Sequence, residues 1–541
     1  MSRREALLSA AVVFVVAVLV RWWAASLVVF PKPEDTAYYV DVARNLLSGR
    51  GLVSDALWSF QTQPLVVPRA AFEVWLPLPT FLAAVPMALF GSTFAAAQVS
   101  SVVIGSVVPV LAWRLAADVA AERGLASGRA RTLAIGTGLT AAVSLPLILH
   151  STLPDSTMLF AVLTLGATLL MSRLVRRIEA ARVPDGTTGT LALLGIVIGL
   201  GALTRNEAIW LGLVWAILAL RLPLPRGDRL RLIAIPAVVA ILFYAPWAIR
   251  DWIAFGNPLP GQALSNALSL DGTDIFAWQD PPTLSRYLAA GLPTLVGLRV
   301  TGIGHNLFDV LLFPGAPLSF IGLIGLPWAA RLRSIQPLLL VSIVVFLVTA
   351  IVFPVSTTWG TFLHAAGATH VLLIVSALLA LDALIAWVGQ RRGWTRPVAW
   401  LAPTLTIAGS ILFSAVILPS FGAGSGATAR TFEDLSARLT VAGATPDTGK
   451  PVITDFPIWL PYVHGGTSLA LPHEPASSVL DLARTFGATT VAVLEGDALR
   501  GELASGSTDA ACFRDVTPPA GQAPDPAASD DSLRVYRIVC P

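Results

Sequence analysis

Four short polar stretches carry most of the side chains in this sequence that could do chemistry, and each lies beside a long apolar run. The first, Pro31 to Phe60, holds adjacent carboxylates, Glu34 and Asp35, then Tyr38 and Tyr39, then an amphipathic turn ending in Gly49-Arg50-Gly51. The second runs from His150 to Pro154 and Asp155, the third from Leu203 through Arg205 to Glu207, the fourth from Pro246 to Arg250 and Asp251. Arg69 and Glu73 follow the first stretch, while His305, Asp309, His364 and His370 border later apolar runs. An ionised aspartate can take a proton from a hydroxyl at neutral pH. A guanidinium receives phosphate through a bidentate fork. Carboxylate and guanidinium together are the equipment for a displacement at a phosphate-bearing carbon. The histidines match no metal-ligand spacing, so no metal is expected to be required, and the carboxylates leave room for a divalent Mg or Mn.

Each group also has a plainer use. Asp35 could be a solvated loop acid with Glu34 as the base. Asp155 before an apolar run is a good helix cap. Arg205 could neutralise Glu207, and Arg250 could do the same for Asp251.

The elements that hold these groups follow from composition. Hydrophobic residues make up 55% and charged residues 13% of the 541, with mean hydropathy +0.73. A soluble chain of this size needs more charge to cover its surface. The chain therefore reads as a polytopic α-helical membrane protein, with membrane lipids as partners. Its basic residues are almost all arginine and scattered among loops, which argues against nucleic acid as a partner. A helix needs about 20 apolar residues to span the hydrocarbon. On that measure about 11 transmembrane helices are expected, near residues 6–30, 93–115, 132–151, 157–172, 188–204, 207–221, 232–249, 309–330, 336–354, 366–388 and 398–420. Val74 to Phe90 is short and holds Pro77, Pro79 and Pro86, so it reads as a re-entrant or surface-lying piece. With that numbering, Arg123, Arg129, Arg131, Arg173, Arg176 and Arg177 fall on the cytoplasmic side, as the positive-inside rule asks. Asp382, near the inner end of one span, is expected to pair with Arg391 or Arg392. Arg21 lies within the first span and must face protein or snorkel.

The expected arrangement is a plasma (inner) membrane protein, multi-pass, with its N-terminus cytoplasmic and its C-terminus extracytoplasmic. Residues 1–420 form the membrane domain, with 31–92 as a first outer loop carrying juxtamembrane helices. Past Phe421 a Gly/Ser-rich junction, GAGSGA, leads into soluble-looking sequence, and 421–541 reads as a small α/β domain. Strands are expected at Pro451–Phe456, Thr489–Leu494 and Ser532–Cys540, with a helix at Ala476–Phe486. Cys512 and Cys540 both lie in this tail and would be bridged if it faces an oxidising compartment; otherwise they are two free thiols.

Over about residues 1–420 the sequence resembles the GT-C superfamily of polyprenyl-phosphate-sugar glycosyltransferases, in the branch of the protein O-mannosyltransferases and the lipid A aminoarabinose transferase. The likeness is carried by Asp35 with Tyr38 and Tyr39 after the first span, and by the run Ala43, Leu46, Gly49. It continues in Asp155 after Pro154, in Arg205 within a "L-T-[KR]" turn, and in Pro246–Asp251 followed by Phe255–Pro258. Relatives often carry a basic residue in an "E-[KR]-P-P-L"-like segment; the stretch Glu73 to Leu78 lacks it, and Arg69 is the substitute. The resemblance implies a GT-C fold and an inverting transfer of a sugar from a polyprenyl-phosphate-sugar donor to an extracytoplasmic acceptor that is protein, lipid or cell-wall glycan. It implies Asp35 as base with Asp155 and Glu34 beside it, and Arg205, Arg250 and Arg69 on the donor phosphate. Tyr38, Tyr39, Glu73, Glu207 and His364 would contact substrate. Some relatives use a divalent metal and others do not. The competing classes are a transporter or flippase for lipid-linked sugars and a non-catalytic scaffold. A transporter needs polar groups along a path through the bilayer, and these spans are nearly free of charge.

Overall fold

Backbone inside hydrocarbon must satisfy its own hydrogen bonds, so long uncharged runs fold as helices. The computed structural model describes residues 3–181, 186–394, 398–493, 498–505, 509–518 and 533–540. Among these, seven helices are long and apolar enough to cross a membrane: Arg3–Leu27, Phe94–Glu122, Ser156–Ala180, Arg226–Phe255, Gly291–Leu312, Gly367–Arg391 and Leu401–Val441. An eighth arises if Ser127–Val143 and Leu145–Thr152, which meet at 60°, form one broken span. The expected count of eleven is thus not reached by helices of full length. Three of the expected crossings are the shorter apolar helices Thr187–Ala202, Leu318–Ala329 and Gln336–Ile351, and a fourth, Ile209–Arg221, has 13 residues.

One long helix was not expected. Residues 250–308 read as an outer loop, yet Gly291–Leu312 is of spanning length, its last turns π-helical from His305 to Leu312. Its hydropathy, 1.2, is the lowest of the seven, because Arg299 and His305 interrupt the apolar run. Arg299 is carried there by Leu295 O and the Tyr287 hydroxyl, both of which accept from it. Leu78–Phe90 is a helix of 13 residues, too short to cross.

The broken span has a local cause. Pro146 has no N–H to offer the Ala142 carbonyl one turn earlier. Arg21, fully buried, supplies the missing donor: its Nη1 gives a bond to Ala142 O at 3.0 Å and its Nε to Ser151 Oγ at 2.9 Å. The buried arginine therefore faces protein, satisfies a carbonyl stranded by the break, and fixes the turn that continues to Asp155.

Arginine–acid pairs link the ends of several helices: Arg129 with Asp382 at 2.7 Å, Arg173 with Asp118 at 3.2 Å, Arg131 with Glu5 at 2.5 Å. Asp382 thus pairs with Arg129, from a distant helix, instead of Arg391 or Arg392.

The C-terminal region builds a six-stranded sheet, and one of its strands comes from the first loop. In order across the sheet the strands are Ala56–Leu57, Ser468–Ala470, Val452–Thr454, Thr490–Val493, Arg534–Ile538 and Phe513–Asp515. The first four run parallel, the fifth is antiparallel to them, and the sixth is antiparallel to the fifth, so it runs in the direction of the first four. The helix Ala476–Phe486 is as expected. The strands at Val452, Thr490 and Arg534 lie within the expected segments, of which Leu494 and Ser532 are outside the described residues. The two-residue strand at Ala56 is below what any period-two pattern can signal. Cys512 and Cys540 are bridged, tying the edge strand to the end of its neighbour. The GAGSGA stretch is no linker: it continues the 41-residue helix Leu401–Val441. Phe432, Leu435 and Leu439 of that helix pack in one core with Tyr38, Trp58, Phe72, Trp247 and Trp459.

Candidate active site

The helix Glu34–Leu47 begins after Pro33 with two acids in its first turn, where the helix dipole favours negative charge. It stops where Gly49 takes a positive φ of 83°, with the Ser48 N–H on Arg44 O and the Arg50 N–H on Asn45 O. Its buried face carries Tyr38, Tyr39 and Val42. That burial fixes where Asp35 points.

Asp35 Oδ2 lies 2.9 Å from His364 Nε2, and its Oδ1 accepts from the Thr36 N–H at 3.1 Å. The other imidazole nitrogen, Nδ1, is 2.7 Å from Thr157 Oγ1 and 3.8 Å from Asp155 Oδ2. Asp155 Oδ1 accepts from the Thr157 N–H at 2.7 Å, so it does cap the helix Ser156–Ala181. Its Oδ2 is buried without a hydrogen bond among the described residues. Two carboxylates from different loops thus flank one imidazole. Burial alone would raise the Asp35 carboxyl, but the His364 charge and bond, with Arg205 nearby, bring it below the usual range. Burial would lower His364, and Asp35 overturns that, holding the imidazole above its ordinary value. Burial pushes Asp155 up to about 6.

Arg205 closes this cluster. It makes a fork to Glu207 at 3.1 and 2.8 Å, and donates to Ser156 Oγ at 3.0 Å and Thr361 O at 3.2 Å. Four of its five N–H groups are therefore occupied. Tyr39 approaches Ser156 and Arg205 from the loop helix.

Arg69 and Arg250 form a second cluster, on the Tyr38 side of the same helix. Both guanidiniums lie over the Phe255 ring, at 5.7 and 5.4 Å, and Arg250 is also 4.8 Å from the Trp247 ring. Arg69 faces Glu73 at 3.7 Å, with both side chains buried. Its Nε and Nη1, and both Glu73 oxygens, have no hydrogen bond among the described residues. Burial raises the Glu73 carboxyl. Arg250 gives one nitrogen to Asp251 at 2.9 Å. The Tyr38 hydroxyl accepts from the Phe72 N–H at 2.7 Å and steadies that residue at φ 73°, a conformation that is strained for phenylalanine. Edge-on Tyr38 and Tyr39 rings, 6.2 Å apart, separate the two clusters.

Glu34 turns away from both. Its Oε1 accepts from the Ile458 N–H at 3.2 Å, and burial pushes its carboxyl up to about 8. Trp459 Nε1 donates to Pro31 O at 2.8 Å beside it. The acid next to Asp35 thus ties the loop to the C-terminal sheet.

His150 is the residue sequence reasoning missed. Ligand atoms of His150, Asp155 and His364 all lie within 4.8 Å of one another. His150 Nδ1, like Asp155 Oδ2, is buried with no hydrogen bond among the described residues. Two orphaned ligand atoms beside a second imidazole, that of His364, fit a divalent cation when that imidazole is neutral. The only signal in sequence was the five-residue spacing of His150 and Asp155 within one turn; His364 lies some 200 residues further on.

No protein-family model matches the sequence, and comparison with curated proteins gives no match. Solved structures do match. The chain is similar to ArnT from Cupriavidus metallidurans bound to undecaprenyl phosphate, at TM-score 0.57 and 15% identity, over 97% of each chain. It is also similar to the Archaeoglobus fulgidus oligosaccharyltransferase AglB in complex with an inhibitory peptide and a dolichol-phosphate. There the TM-score is 0.53 and the identity 13%, over 90% of this chain and 69% of that one. The same archaeal enzyme with Zn and sulfate matches at TM-score 0.53 and 14% identity, over 89% and 67%. With its apolar helices and this similarity, the chain is a multi-pass membrane protein that has the fold of the GT-C glycosyltransferases.

Proposed function

We propose that the chain is a membrane glycosyltransferase that moves one sugar from a polyprenyl-phosphate carrier to an acceptor hydroxyl outside the cytoplasm. Inversion occurs at the anomeric carbon, and Asp35 is the base. The observation that carries this reading is the Asp35–His364–Asp155 constellation, drawn from three separate loops, with guanidiniums at hand on the far side of Tyr38 and Tyr39.

Asp35 takes the acceptor proton as the hydroxyl attacks. His364, held charged beside it, keeps it ionised at the working pH, and Asp155 supports the other face of the imidazole. The departing phosphate needs a cation more than a proton donor. Arg69 and Arg250 have donors left to give; Arg205 has spent most of its own and acts as the brace of the acid cluster. ArnT bound to undecaprenyl phosphate and AglB in complex with a dolichol-phosphate share this fold, and this supports a polyprenyl-phosphate carrier here. His150 and Asp155, whose free ligand atoms are buried, would hold a divalent cation, joined by His364 only when that imidazole is neutral; bound there, the cation would supply Lewis-acid stabilisation of developing negative charge. The Cys512–Cys540 bridge favours an oxidising, extracytoplasmic side for the sheet and the loop it grips, hence a plasma membrane protein with its N-terminus inside.

The test is Asp35→Asn in membranes supplied with labelled polyprenyl-phosphate sugar. General-base removal should lower transfer by roughly 10²–10⁴-fold. Undiminished transfer would take Asp35 out of this role.

A further inference from the structure

The helix that carries Asp35 has a second polar face, and it borders a cavity of about 460 Å³ outside the acid cluster. That volume is within the range of small-ligand sites. Asp41, Arg44 and Asn45 line it from the helix at positions one turn apart, Arg50 and Asp55 from the ribbon that follows. The opposite wall is two glycine-bearing turns of the C-terminal sheet, in which Gly449, Gly465 and Gly466 all take positive φ, 66°, 78° and 75°. A side chain at Gly466 would press on Pro446 Cα at 3.2 Å, so the backbone itself forms that wall.

The charges within it are nearly all spoken for. Arg50 Nη1 donates to Asp55 Oδ2 at 2.7 Å and to Asn45 Oδ1 at 2.8 Å, and Asn45 Nδ2 donates to Asp55 Oδ2 at 3.0 Å. Arg44 donates to Tyr462 O and Ser92 O, both at 3.1 Å, and lies over the Tyr462 ring. Only Asp41 has no hydrogen bond or ion pair among the described residues, and burial beside Asp55 pushes its carboxyl up to about 7. An anion would meet an unpaired acid and two engaged guanidiniums. A cation would meet the same two guanidiniums at close range. An apolar group would strand the planar polar side chains that form the floor. A neutral ligand with many hydroxyls meets none of these objections, since each hydroxyl both donates and accepts.

We infer that this cavity is a binding site for neutral carbohydrate, which makes the acceptor a glycan whose chain extends from the Asp35 site along the loop helix. Asp41 is six residues from Asp35, about 9 Å along the helix axis, which a short oligosaccharide can bridge. The acceptor assignment rests on the transferase reading; the carbohydrate site does not.

The full-length protein in detergent, applied to an array of neutral, anionic and aminated oligosaccharides, tests this. Wild type should retain neutral glycans, and Asp41→Leu, which breaks no internal contact, should weaken retention about tenfold. Thr467→Trp, which fills the cavity from the sheet side and leaves Asp41 in place, should do the same, with thermal melting used to verify that both variants fold. Retention of no neutral glycan, retention of charged glycans alone, or retention unchanged in both variants would each overturn the site. Glycan retention that depends on Asp41 in a protein with no transfer activity would leave the site standing and remove the transferase reading. Transfer that depends on Asp35 with no Asp41-dependent retention would do the reverse.

Discussion

His364→Gln separates the two things that this histidine does for Asp35. Glutamine can still offer an N–H to the carboxylate but carries no charge. In the native protein burial alone would raise the Asp35 carboxyl, and His364 outweighs it. Without that charge, burial prevails and the carboxyl rises. A base acts only when ionised, so the acid limb of the pH–rate profile must move to higher pH, and more of the activity is lost in mildly acidic buffer. A hydrogen bond to a charged group is worth about 1.5–3 kcal/mol. If that is felt in the transition state, the plateau rate falls by roughly ten- to hundredfold. The assay is transfer from labelled polyprenyl-phosphate sugar in membranes, followed from acidic to alkaline pH for wild type and variant. An acid limb that stays in place, or moves to lower pH, would refute the claim that the Asp35–His364 pair sets the ionisation of the base.

Glu34→Gln probes the join between loop and sheet. Its carboxyl rises from an ordinary 4.5 to about 8 on folding, so the native state binds the proton more tightly, and this contribution to stability is full below 4.5 and lost as pH rises through about 8. Melting temperature should therefore fall across that window in wild type and much less in the variant. Arg250→Gln should weaken the donor interaction and raise KM for the carrier-linked sugar, by roughly tenfold for one lost charge-assisted bond; an unchanged KM would take Arg250 off the phosphate. Equilibrium dialysis against Mn should find binding in wild type that is lost in a His150→Ala, Asp155→Asn double variant, and equal binding in both would dismiss that cluster as a metal site. A chain ending after residue 420 should insert but not transfer, because the loop helix loses the contacts at Ile458 and Trp459. Full activity would make the sheet an accessory.

Much of this site was legible because its parts are local. Asp35 with its tyrosines, Asp155 after Pro154 and Arg205 near Glu207 are each readable from a few adjacent residues. What could not be read is how they are shared out. Nothing near Arg205 in sequence says that Ser156 and Thr361 occupy its donors, or that Arg69 and Arg250 meet over Phe255. His364 joins Asp35 to Asp155 only because three loops converge, and pairing at that separation leaves no period in the chain. The fold was legible in the same measure. Charge-free runs declared themselves as helices, while Gly291–Leu312 was hidden by Arg299 and His305. The first-loop strand was hidden because two residues carry no alternation.

That strand has a consequence for how the protein is made. Ala56 and Leu57 pair with Ser468 and Leu469, about 400 residues later in the chain. At about 5–20 residues per second, a ribosome takes roughly 20–80 s to cover that distance. For that time the segment next to Asp35 lacks the strand that it pairs with, so the first loop takes its final form only after residues 468–469 have been made.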